Sequence, residues 1–184
     1  MDEKVFLFDM RKEVEKFFDD SSVPRGRDPK LVLLLGPVCS GKTFVRKRDY
    51  SKGYVVVDAA EIFRSLSRGG RHKFGTIFGE PLDLIGGFVT YRALKERRDV
   101  VTEMIGDRLE EVEAVIDAVL ALGYEVEVKA VQCGLDEARR RLKRRGPDEV
   151  SARDTQSFHH RWITAAASGL ATRPQDDRTT PPAT

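Results

Sequence analysis

Apolar and polar positions change period several times along the chain, and the changes divide it into alternating strands and helices. Leu31-Val32-Leu33-Leu34-Leu35 is an unbroken apolar run of strand length, the pattern of a strand covered on both faces of a parallel sheet. Residues 54–58 and the run opening at Val100-Val101-Thr102 repeat it, and residues 124–131 give a fourth strand with alternating polarity. Between them the spacing becomes helical over residues 42–50, 59–66, 82–97, 108–122 and 135–145. Gly123 suits a helix C-terminal cap just before the fourth strand. Strands alternating with helices predict βαβ units and a three-layer α/β fold with a mostly parallel sheet of four to five strands.

The ends of the chain have a different texture. Residues 1–20 carry Val5, Phe6, Phe8, Met10, Val14, Phe17 and Phe18 on one side of an expected amphipathic helix, and a polar connection runs to residue 29. The expected division is therefore 1–29 as helix and connection, 30–170 as the main domain, and 171–184 as a disordered tail holding Pro174, Pro181 and Pro182. The helix is expected to pack on its own domain rather than on a partner.

Composition narrows the class. With 184 residues, 40% hydrophobic and 34% charged, the chain suits one soluble globular domain. No apolar run reaches the length of a membrane span, and the N-terminus lacks the layout of a signal peptide, so a cytoplasmic protein without a membrane role is expected. Cys39 and Cys133 lie far apart and read as reduced thiols, while His72, His159 and His160 share no metal-ligand spacing and read as packing or surface residues. Net charge is only +2, yet bases fill six of the seven positions 139–145. Such a patch suits bound phosphates or a nucleic-acid backbone.

Chemistry enters at Gly36-Pro37-Val38-Cys39-Ser40-Gly41-Lys42-Thr43, which matches G-x-x-x-x-G-K-[ST] between a buried strand and a helix. In a loop of this kind the backbone N–H groups converge on nucleotide phosphates, aided by the positive end of the following helix. Lys42 is placed to reach the β- and γ-phosphates of ATP, and the Thr43 hydroxyl to hold Mg²⁺. Cys39 reads as a small loop residue rather than a reactive thiol. The chain has no Asn-Lys-x-Asp string of the guanine-reading kind. Asp58 closes the strand after the loop's helix, where a small phosphotransferase places an acceptor-side or metal-ordering carboxylate; capping the next helix is an equal reading. One or two arginines of the basic segment reaching the triphosphate would stabilise charge in phosphoryl transfer.

From about residue 31 to 170 the order of motifs resembles the zeta toxin family, P-loop kinases that phosphorylate UDP-N-acetylglucosamine and related acceptors. The likeness rests on the P-loop, on Val57-Asp58-Ala59-Ala60-Glu61-Ile62-Phe63-Arg64, on Asp99-Val100-Val101-Thr102-Glu103, and on Gly123-Tyr124-Glu125-Val126. It implies an ATP- and Mg²⁺-dependent kinase acting on a hydroxyl of a small acceptor such as a sugar nucleotide, and an antitoxin-like protein partner. Glu103 would face the acceptor, and Arg140 and Arg153 would bind the transferring phosphoryl. The catalytic Asp of the family should fall at position 60, which is Ala60 here, so Asp58 or Glu61 is the expected substitute. Met104 and Ile105 replace the family's small polar residues after Glu103, and residues 68–87 lack its acceptor-binding pattern. Two other readings stand beside this one: a kinase acting on a polynucleotide or another small molecule, and an ATP-binding protein with impaired catalysis.

Overall fold

Leu31, Val32, Leu33 and Leu34 are wholly withdrawn from solvent, so β1 (Lys30–Leu35) must be covered on both faces. At ~1.5–3 kcal/mol per buried side chain, those four contribute roughly 6–12 kcal/mol as an upper estimate. In this computed structural model, which describes residues 9–67, 79–145 and 152–172, β1 lies inside a four-stranded, all-parallel sheet. The order is β2-β3-β1-β4, with β2 at Tyr54–Val57, β3 at Asp99–Met104 and β4 at Glu125–Ala130. The expected α/β architecture with four strands is present.

Strand alternation sorts side chains between two cores. Leu31 and Leu33 of β1, Val55 and Val57 of β2, and Val100 and Met104 of β3 join the larger core. It is completed by α1 (Met10–Glu15), α3 (Ala59–Leu66), α4 (Gly79–Lys95), α5 (Leu109–Leu120) and α7 (Ala152–Ala171). Val32, Leu34 and Val101 point to the opposite face, where Tyr50, Val45 and Val56 cover them beside α2 (Lys42–Asp49). The helices that follow β1 and β3 therefore leave on opposite faces. A crevice opens between those two strand tips, the usual place for a ligand in an open α/β sheet.

At the N-terminus the described helix is α1, shorter than expected; Val5, Phe6 and Phe8 lie outside the described residues. Phe18 is buried beyond its end between the Arg92 and Arg98 guanidinium groups, 4.2 and 5.2 Å from the ring centroid, so the segment packs on its own domain. The apolar residues Leu135 and Leu142 of α6 (Leu135–Arg145) are exposed and form no core face. Trp162 of α7 is core. The tail beyond residue 172, and His72, Phe74 and Phe78, lie outside the described residues.

Candidate functional site

The loop from Gly36 to Thr43 links the tip of β1 to the first turn of α2. A Cβ on Gly36 would fall 2.1 Å from the Val131 carbonyl oxygen, so only glycine fits there. Cys39 and Gly41 take positive φ angles of 63° and 107°, which bend the backbone into an anion-binding concavity. Gly41 caps α2 without a side-chain hydrogen bond, leaving the helix start open to an anion. The buried Ser40 hydroxyl has no hydrogen-bond partner among the described residues. An orphaned hydroxyl and an uncapped helix start at one loop fit a phosphate group. Lys42 is buried, and its Nζ donates to the Gly36 and Pro37 carbonyls at 2.5 and 3.0 Å, which keeps the ammonium at the mouth of the loop. Val38 is half-buried and Pro37 exposed on the outer side.

The carboxylates meet at this loop because of strand period. Glu103 lies one residue after Val101's neighbour on β3 and so points, like Val101, toward α2; Asp58 continues the same face after Val56. Thr43 Oγ1 donates to Glu103 Oε2 at 3.1 Å. Asp58 caps α3 through Oδ1, which accepts from the Ala60 N–H at 2.8 Å; of the two roles expected of it, the cap is the one the structure shows.

The centre of the cluster is a residue that the motif reading passes over. Arg46 is buried and donates through Nε to Glu103 Oε1 at 2.7 Å, and through Nη2 to Asp58 Oδ2 at 3.0 Å and Glu61 Oε1 at 2.8 Å. Burial works against its charge, but the surrounding carboxylates, Asp58 foremost, outweigh it and raise its pKa. Burial likewise opposes the ionised form of Glu61, yet Arg46 and Arg64 prevail and hold its pKa below the usual range. The helix spacing supplied a signal: Arg46 is three residues from Thr43 and four from Lys42, hence on the same face of α2.

A second residue outside the motif, His159 of α7, locks the two strand tips together. The Ala59 N–H can only donate, so His159 Nε2 accepts at 2.8 Å, and Nδ1 carries the proton to the Glu103 carbonyl, also at 2.8 Å. Burial lowers the imidazole pKa despite Asp58 at 4.0 Å, which agrees with the neutral ring. One turn earlier, Gln156 Oε1 accepts from the Ile105 and Gly106 N–H groups at 2.7 and 3.0 Å, fixing the segment after β3. Sequence reading placed His159 among packing residues, which is correct for burial but omits this bridging.

The basic helix reaches the loop through a neighbour of the expected residue. Arg141 Nη1 donates to the Cys39 carbonyl at 3.2 Å, whereas Arg140 is turned to solvent and paired with Glu137 at 2.6 Å. The Cys133 thiol contacts the same Cys39 carbonyl at 3.7 Å. Arg153 belongs to α7, but its side chain lies outside the described residues. Among the described residues no group of three His, Cys, Asp or Glu side chains is arranged to hold a metal ion. A Mg²⁺ ion here would depend on Thr43, nucleotide oxygens and water, with the Asp58 and Glu103 carboxylates behind them. No described helix is long and apolar enough to cross a membrane.

Comparison with known proteins decides the family. The zeta toxin family model matches residues 14–175. The chain belongs to the zeta toxin family. Among solved structures, a chain of the PezAT chromosomal toxin–antitoxin system of the human pathogen Streptococcus pneumoniae is similar at 15% identity and a TM-score of 0.54; the match covers 74% of this chain and 60% of that one. A chain of the Pnkp1/Rnl/Hen1 RNA repair complex is similar at 19% identity and a TM-score of 0.50, covering 80% of this chain and 49% of that one. At these identities the likeness establishes the fold, and this zeta toxin family chain spans only about half to three-fifths of each. No curated protein matches it in sequence. Family membership supports a kinase-type function and leaves the acceptor undetermined.

Proposed function

We propose that this protein is an ATP- and Mg²⁺-dependent phosphotransferase that moves the γ-phosphoryl of ATP to a hydroxyl of a small acceptor, a sugar nucleotide being the first to test. The observation that carries the reading is the loop itself: an uncapped helix start, an orphaned Ser40 hydroxyl and the Lys42 ammonium converge beside Glu103. Lys42 and the loop amides would hold the triphosphate, and Thr43 would bind Mg²⁺, with Asp58 contributing through the same acidic cluster. The ion would draw charge from the phosphoryl oxygens. The acceptor hydroxyl would approach from the side of Asp58, Glu61 and Glu103. Cationic side chains are needed over the loop as charge develops. Arg141 supports that role by its contact with Cys39, with Arg140 and Arg153 as the family-expected partners. A cytoplasmic setting, where ATP is present, and an antitoxin-like partner belong to the same reading; the latter is supported by the toxin–antitoxin origin of one similar structure.

Lys42→Ala tests the reading. The variant is expected to remain folded by circular dichroism while ATP binding weakens and transfer to UDP-N-acetylglucosamine falls by at least ~100-fold. Full transfer by the variant would overturn the proposal. The exposed bases Arg139, Arg140, Lys143 and Arg144 on α6 favour a second reading, a polynucleotide acceptor. Single-stranded oligonucleotide phosphorylation that declines steeply with salt would select it.

A further inference from the structure

The absence of a carboxylate at Ala60 leaves three nearby acids as acceptors of the hydroxyl proton, and their contacts are not equivalent. Both oxygens of Asp58 are held by N–H donors, Oδ1 by the Ala60 amide and Oδ2 by Arg46. Both oxygens of Glu61 are held by cations, Oε1 by Arg46 with Lys47 at 3.7 Å, and Oε2 by Arg64. Glu103 differs. Its Oε1 is fixed by Arg46 Nε, while Oε2 meets only the Thr43 hydroxyl among the described residues. A hydroxyl can rotate its hydrogen away when its oxygen takes a new partner, as an N–H of a cap or a guanidinium cannot.

Resting on the phosphotransferase reading, we infer that Glu103 is the catalytic residue that accepts the acceptor hydroxyl's proton, and that Arg46 is its positioning residue. The Glu103 side chain stands at the tip of β3 next to β1, with Leu34 as its register partner, and its Oε2 meets Thr43 at the end of the loop; in an open α/β sheet this strand tip is where the γ-phosphoryl would lie. In the step, a bond forms between the acceptor oxygen and Pγ as the bond from Pγ to the β,γ-bridging oxygen breaks. The electron pair leaves with ADP, and the proton passes to Glu103 Oε2. Arg46 remains on Oε1 throughout and prevents the carboxylate from rotating. Asp58 and Glu61 hold Arg46 in place from the other side, so one buried guanidinium fixes the geometry of all three acids.

The test compares Glu103→Gln, Asp58→Asn, Glu61→Gln and Arg46→Lys in the full chain, with water and UDP-N-acetylglucosamine as acceptors and a fluorescent ATP analogue for binding. Glu103→Gln should lose at least ~100-fold in kcat with nucleotide Kd within about threefold. Asp58→Asn and Glu61→Gln should lose no more than about tenfold. Arg46→Lys should lower kcat about tenfold without weakening the analogue, because one ammonium replaces only part of the fork. Arg46→Met, if it folds, should fall to the level of Glu103→Gln. Near-normal transfer by Glu103→Gln, or an equal loss in Asp58→Asn, overturns the assignment. A wild-type protein that binds the analogue yet transfers neither to these acceptors, nor to single-stranded oligonucleotides, nor to any of a panel of sugar nucleotides overturns the phosphotransferase reading itself.

Discussion

His159 is where residue chemistry most directly constrains the site, because its neutral ring ties the backbone of Ala59 to that of Glu103. Burial depresses its pKa below the ordinary 6.5, outweighing Asp58 and the Glu103 carbonyl and carboxylate, with Arg46 adding to the depression. The unfolded chain therefore takes up a proton near pH 6.5 that the folded chain resists, and the folded state loses stability as pH falls from there toward the folded value. Each unit of depression corresponds to about 1.4 kcal/mol. Urea midpoints measured between pH 7.5 and 5 should decline in the wild type, and His159→Gln should flatten the decline while lowering stability at pH 7.5. An unchanged slope in the variant would rule out this source. The effect is separate from that of Glu61, whose depressed pKa acts only below its ordinary 4.5. Lys42, Thr43 and Glu103 were legible in the sequence since a motif and a strand end mark them. Arg46 was legible only as a residue on the Lys42 face of α2, and the bridging by His159 not at all, because their partners are brought together only when the tips of β2 and β3 meet α2 and α7.

At the scale of elements, α4 and α7 cross at close range. A Cβ on Gly86 would lie 2.3 Å from two atoms of the Trp162 indole, whose Nε1 is fixed by a 2.8 Å hydrogen bond to Asp83. Alanine gains about 1 kcal/mol of helix propensity over glycine, but a rigid ring at that distance must be displaced, at a cost of typically 1–3 kcal/mol. Gly86→Ala should therefore lower stability in urea unfolding and shift the Trp162 fluorescence. Gly87→Ala, with open space at its Cβ, should be neutral or slightly stabilising by ~0.5–1 kcal/mol. Equal effects at the two positions would refute the crossing as described. Hydrophobic period identified β1, β2 and β3 because each places apolar side chains in the core, and alternation alone located β4, whose Val128 is exposed. It placed α6 as a helix but not the surface it meets, since Leu135 and Leu142 are exposed and too few apolar side chains in so cationic a helix define a face.

Across the whole molecule the loop from Gly36 to Thr43 and its helix are joined to distant parts of the chain. Thr43 and Arg46 reach β3, Arg141 of α6 reaches Cys39, and His159 of α7 reaches the tips of β2 and β3. Sheet order is the cause: the chain leaves β1, passes to the edge at β2 and returns to β3, so residues 60 positions apart become neighbours. A ligand bound at this junction favours the folded state over the unfolded one by mass action, about 2.7 kcal/mol at a free concentration of 100 times its Kd. For a chain of this size that amounts to a rise in Tm of about 5–10 °C. Mg²⁺ with ATP should produce such a rise in the wild type and none in Lys42→Ala. Glu103→Gln should keep most of it, because its proposed work lies in the transfer rather than in holding the nucleotide. If Glu103→Gln and Lys42→Ala both lose the rise, Glu103 belongs to nucleotide binding, and the division of the site into a phosphate half and an acceptor half is wrong.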